Sequence, residues 1–102
     1  MKRLQINPKQ GDFDVIASTS RSQVALMVLA PGESTGGPDN IHEDSDQWLY
    51  VIAGQGRAIV NGQKVDLQPA TLLLIEAGEG HEITCTGEQA LETINFYAPP
   101  EY

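Results

Sequence analysis

Turn-forming residues cut this chain into short apolar pieces, and that punctuation decides the fold class. Residues 22–30 read SQVALMVLA and are closed by Pro31-Gly32. Residues 47–53 read QWLYVIA and stop at Gly54-Gln55-Gly56. The run RAIVN ends in Asn61 and meets Gly62, and an Asn-Gly pair between apolar runs favours a tight hairpin. KVDLQ stops at Pro69, TLLLIE at Ala77-Gly78, HEITCT at Gly87, and ALETINFYA runs into Pro99-Pro100. No window of about a dozen residues keeps a 3.6-residue period with caps. Short strands with turns at this spacing predict an all-β sandwich or barrel. A chain of 102 residues has room for one compact domain, so residues 1–102 are read as one unit, with an N-terminal segment and first strand within 1–20.

Several of these strands are apolar on both faces. Trp48, Tyr50 and Ile52 share one side of their strand and Leu49 and Val51 the other. Val24, Leu26 and Val28 likewise oppose Ala25, Met27 and Leu29, and Leu72 and Leu74 oppose Leu73 and Ile75. A strand with one wet face should alternate apolar with polar residues. Something must cover the second face, either residues 1–18 or a second copy of the chain, and a homodimer is the expected assembly.

Charge narrows the partners. Six Lys+Arg against fourteen Asp+Glu give a formal net charge of -8, which removes the basic footprint that nucleic acid or an anionic membrane requires. One cysteine cannot form an internal disulfide. The opening residues MKRLQINP lack the apolar stretch of a signal peptide, and the longest apolar run is too short to cross a bilayer. The expectation is a small acidic protein of the cytoplasm. From Glu33 to Asp46 there are five acids and no Lys or Arg, a solvated loop that favours a neutral or cationic small-molecule ligand.

Two segments carry the functional signal, PDNIHEDSDQWLYVIAG (38–54) and PATLLLIEAGEGHEITCTG (69–87). Together they resemble the cupin superfamily, whose two motifs flank a short hairpin segment. The first motif, G-x5-H-x-H-x3–4-E-x6-G, falls on Ser34, Asn40, His42, Gln47 and Gly54. The second, G-x5-P-x-G-x2-H-x3-N, falls on Ala70, Glu76, Gly78, His81 and Cys85. The resemblance spans about residues 24–97 and implies a jelly-roll barrel, also called a double-stranded β-helix. It also implies a pocket framed by Asn40, His42, Gln47 and His81, the positions where metal-binding cupins carry three His and one Glu.

The departures weigh as much as the match. Two imidazoles remain, and the carboxylate position holds a neutral amide, so the set has lost the charge that offsets a dication. Both amides still offer a carbonyl oxygen, and the chain's only two His fall on ligand positions. A divalent ion (Zn, Fe, Mn or Ni) on His42, His81, Gln47 and Asn40 is one expectation; hydrogen-bonding groups lining a polar pocket are the other. A second register starts from Gly36 and reads His42, Asp44 and His81 as a two-His-one-carboxylate set. Within Glu43-Asp44-Ser45-Asp46, however, Asp44 has the character of a solvated turn residue. Cys85 shares a strand face with His81 and Ile83 and reads as a small core hydrophobe. No Ser and His stand at the spacing of a nucleophile–base set. Three function classes follow: a metal-dependent enzyme acting on a small organic molecule, a non-catalytic small-molecule binding or sensing module, or an interaction protein that uses only its apolar outer faces.

Overall fold

The computed structural model describes residues 1–7, 12–37 and 40–102. Eight strands form: β1 (Phe13–Ser18), β2 (Gln23–Leu29), β3 (Asp46–Ala53), β4 (Gly56–Val60), β5 (Gln63–Leu67), β6 (Leu72–Ile75), β7 (His81–Cys85) and β8 (Leu91–Ala98). Seven of the eight match the apolar runs bounded by turn residues to within one residue at their starts, β3, β4 and β5 each beginning one residue early. The described residues contain no helix, which gives the all-β jelly-roll barrel expected.

The strands pair antiparallel in two sheets, β1-β2-β8-β3-β6 and β5-β4-β7. Period-two alternation sorts their side chains. On β3, Gln47, Leu49 and Val51 are buried while Trp48, Tyr50 and Ile52 are exposed. The inward residues of both sheets meet in one core, with Leu49, Val51, Ala58, Leu67, Ile75, Ile83 and Leu91 at its centre.

Turn chemistry fixes the registers. Asn61 (φ 48°) and Gly62 (φ 81°) both take left-handed backbone, and Val60 pairs directly with Gln63 across the two-residue loop. Gly54 has φ 91°, and a Cβ there would collide with the Ala90 carbonyl oxygen. Ala70 stands where the motif has glycine and adopts φ 72°, a conformation that costs an L-residue energy.

The outer face of the larger sheet is only partly covered. Leu4, Gln5, Ile6 and Asn7 line a groove with Leu26, which is buried. The N-terminal segment therefore lies along β1 and β2. Further across the sheet, Trp48, Tyr50, Ile52, Leu72 and Phe96 remain 38 to 57% exposed. Neighbouring strands place Trp48 beside Phe96 and Leu74, and Tyr50 beside Ile94 and Leu72, so the apolar face is continuous.

Candidate functional site

Three of the four expected site residues are buried at one end of the barrel, and all four line one cavity of about 250 Å³. His81 opens β7 with its side chain inward, as the strand phase requires. His42 lies just before β3, beside an isolated bridge between Ile41 and Gly80 rather than within a strand. Two backbone bonds stitch that segment to β7 and the turn before it: Gly78 N–H donates to His42 O at 2.8 Å and His81 N–H to Asn40 O at 2.9 Å. The imidazole centroids stand 4.8 Å apart at 44°. Asn40 reaches the cavity from an exposed position on its rim.

Gln47 carries the informative geometry. It is 3% exposed, and its Nε2 donates to Asn95 Oδ1 at 2.9 Å. Asn95 Nδ2 donates to Thr93 Oγ1 at 3.0 Å, and Thr93 Oγ1 donates to Met27 O at 2.9 Å. This relay fixes which end of the Gln47 amide is the donor. The remaining atom, Oε1, is buried without a hydrogen-bond partner among the described residues. Buried acceptors are normally satisfied, so an orphaned carbonyl oxygen on a residue that shares its cavity with two imidazoles fits a bound donor or cation.

His81 is prepared in the same way. Its Nδ1 lies 3.2 Å from the Glu79 carbonyl oxygen, which accepts an Nδ1–H and leaves Nε2 with a free lone pair. Burial pushes its pKa down from 6.5 and nearby His42 adds to the effect, against an opposing contribution from the Glu79 carbonyl. A neutral imidazole is the state that can ligate. Among the described residues no three His, Cys, Asp or Glu side chains converge on a point. The groups that could hold an ion are instead two imidazoles and an amide oxygen, a set that would suit borderline divalent ions better than hard ones.

The rest of the cavity is apolar and aromatic. Phe13, Met27, Leu29 and Ile83 form its walls, with Tyr97 and Tyr102 beside His42 at centroid distances of 5.4 and 5.9 Å. Burial, reinforced by Tyr102, raises the Tyr97 pKa far above the ordinary phenol value, so its hydroxyl keeps its proton. Among the described residues, no Lys or Arg lines the cavity. The alternative register fails on position, since Asp44 is exposed and does not line the cavity. Cys85 is buried in the core, its Sγ donating to Gln89 O at 3.2 Å.

Several residues that line or support the cavity escaped sequence reasoning. Thr93 and Asn95 were visible as polar residues on the inward phase of an otherwise apolar β8. Tyr97 shares that phase. Tyr102 and Phe13 had no local signal.

Against known families, residues 25–97 match the model of the cupin domain. The chain belongs to the cupin family. This cupin is 39% identical over 73 residues to the tetracenomycin polyketide synthase protein TcmJ of Streptomyces glaucescens, covering 72% of the chain and 48% of that protein. It is 34% identical over 68 residues to an oxalate-binding protein of Thermotoga maritima, covering 67% and 54% respectively. The chain thus spans about half the length of these relatives. A crystal structure of a Bacillus halodurans protein superimposes with a TM-score of 0.83 at 28% identity, covering 88% of this chain and 71% of the other.

Proposed function

We propose that this cupin holds a divalent metal ion on His42, His81 and Gln47, with Asn40 at the rim, and presents it to a small oxygen-bearing organic molecule. The observation that carries the reading is the buried, unpartnered Gln47 Oε1, locked in place by Asn95 and Thr93. When bound, the ion would supply Lewis-acid polarisation of a ligand oxygen. The chain's own residues do the remainder. The walls formed by Phe13, Met27, Leu29 and Ile83 hold the carbon skeleton and exclude water.

The lining also supports a ligand class. With no cationic side chain among the described residues that line the cavity, and Asp12 on its lining, a dianion such as oxalate would meet less favourable charge than an uncharged ligand away from the ion itself. An uncharged carbonyl- or hydroxyl-bearing molecule suits the cavity better, which agrees with the similarity to a polyketide synthase protein. A metal-free binding module is the second reading, favoured by the neutral amide at the motif's carboxylate position.

Elemental analysis of protein purified without added metal tests the proposal, together with thermal shifts against oxalate and against small uncharged diketones and phenols. Stoichiometric metal and a larger shift with the uncharged set are expected. Metal-free protein that takes up none of Zn, Fe, Mn or Ni would overturn the metal reading. A larger shift with oxalate would overturn the ligand class. We further propose a homodimer through the continuous face of Trp48, Tyr50, Ile52, Leu72 and Phe96, which the N-terminal segment leaves open.

A further inference from the structure

The segment after β8 returns to the site. Past Pro99 and Pro100, Glu101 places a carboxylate oxygen 3.5 Å from His42 Nδ1. This arrangement is held by Gln23, a 2%-exposed side chain on the inward face of β2. Its Oε1 accepts the backbone N–H of Glu101 at 3.1 Å and of Tyr102 at 2.8 Å. Its Nε2 donates to Ser18 Oγ at 2.8 Å and to the Tyr102 carbonyl oxygen. Both ends of a core glutamine are thus spent on fixing two residues from the other end of the chain. The Tyr102 ring completes the clamp, packing edge-on against Phe13, Tyr97 and His42 at 4.9, 5.2 and 5.9 Å.

We infer that Glu101 is a positioning residue for His42. An imidazole presents a lone pair on one nitrogen only if the other carries the proton, and a carboxylate facing Nδ1 favours the proton there. His42 Nε2 is then the unprotonated atom, the same state that the Glu79 carbonyl imposes on His81. The carboxylate also returns to the site a negative charge absent at Gln47, one residue behind the donor atoms rather than among them. The effect on metal affinity rests on the proposed metal site; the effect on the His42 tautomer does not.

Two readouts separate these claims. Long-range proton–nitrogen correlation spectra of metal-free protein at about pH 8, above the ordinary His range, report which ring nitrogen carries the proton. Wild type is expected to show His42 as the Nδ1–H form. Glu101→Ala should shift it toward a mixture of tautomers and leave His81 unchanged. Glu101→Gln, which keeps a carbonyl acceptor, should restore much of the wild-type pattern. Gln23→Ala, which leaves Glu101 intact but unclamped, should reproduce the alanine result. Co(II) titration should then show a loss of affinity of about 10- to 100-fold in Glu101→Ala, typical of a lost outer-shell carboxylate. An unchanged His42 tautomer in folded Glu101→Ala overturns the inference. If the tautomer shifts as expected but wild type binds no Co(II), the positioning role stands and the metal reading falls.

Discussion

Gln47→Glu restores the carboxylate of the family motif, and its consequences can be worked out from the hydrogen-bond relay. In the metal-free protein the wild-type amide donates to Asn95 Oδ1 at 2.9 Å. An introduced carboxylate has no donor, so two acceptors would face each other at that spacing. Asn95 cannot reverse its amide without losing its 3.0 Å bond to Thr93. Leaving a buried acceptor unpaired costs about 1–3 kcal/mol. Burial adds to this by disfavouring the charged form, and every tenfold change in the new carboxyl's acidity is worth about 1.4 kcal/mol. Together these give a loss of about 2–4 kcal/mol near neutral pH, or about 10–25 °C in Tm for a domain of this size.

The sign with pH is definite. A carboxyl whose folded pKa exceeds its unfolded value of about 4.3 binds more protons when folded, so the metal-free variant loses stability as pH rises through the folded pKa. Below about pH 4.3 the protonated group can donate to Asn95 Oδ1 and most of the penalty disappears. With metal the balance inverts, because a dication next to the carboxylate lowers its pKa and supplies the missing charge. Calorimetric melting of wild type and variant, with chelator and with Zn(II), Mn(II), Fe(II) or Ni(II), checks each part. The expected outcome is a destabilised metal-free variant that binds metal at least about tenfold more tightly than wild type, a gain of about 1.4 kcal/mol. A metal-free variant melting with wild type would refute the locked, buried amide. Destabilisation with no uptake of any ion would leave a polar cavity and end the metal reading.

Four further outcomes are expected. His42→Ala and His81→Ala should each abolish metal uptake in folded protein, measured by elemental analysis, since the remaining amide oxygens cannot replace an imidazole. Sedimentation of wild type at about micromolar concentration should show a dimer, and Trp48→Asp should weaken it by placing a charge on the contact face, whereas a monomeric wild type sinks the proposed assembly. Ala70→Gly should raise stability by about 0.5–1 kcal/mol in chemical denaturation, as relief of left-handed strain exceeds the entropy that glycine adds to the unfolded chain. Because burial lowers the His81 pKa below 6.5, the unfolded state takes up its proton first, so the metal-free protein should lose stability as pH falls below about 6.5. In folded His81→Asn the slope in that window should become shallower.

How much was legible depended on the range over which each feature is encoded. Strand boundaries are local, and Asn61-Gly62, Gly54 and Gly78 marked turns that the backbone realises with positive φ. The two faces of β3 followed from alternation alone. His42, Gln47 and His81 could be placed because motif spacing carries three-dimensional information that single strands do not. Asn40 and His42 reach the same cavity from a segment that forms an isolated bridge and no regular strand. The rest is long-range. Asn95 meets Gln47 across 48 positions, and Tyr102 meets Gln23 across 79. Pro99-Pro100 reads as an end to regular structure, and nothing in the letters says that the next two residues fold back over the site.

These long-range bonds explain how a site can tolerate the loss of its motif carboxylate. A neutral amide free to rotate would be a poor ligand, since it could turn its NH₂ inward as readily as its oxygen. Asn95 removes that freedom, and the amide's orientation is settled before any ligand arrives. A donor set of two imidazoles and an amide neutralises none of the charge of a dication, so it binds less tightly than one containing a carboxylate. For the same reason it would leave the ion a stronger Lewis acid toward an oxygen ligand. With Glu101 3.5 Å from His42 Nδ1, the proposed positioning role would put negative charge close enough to orient the imidazole without quenching a bound ion directly. Affinity and polarising power then pull in opposite directions at position 47. Gln47→Glu should therefore gain metal and lose polarisation together, a pairing that a metal-free polar cavity would not produce.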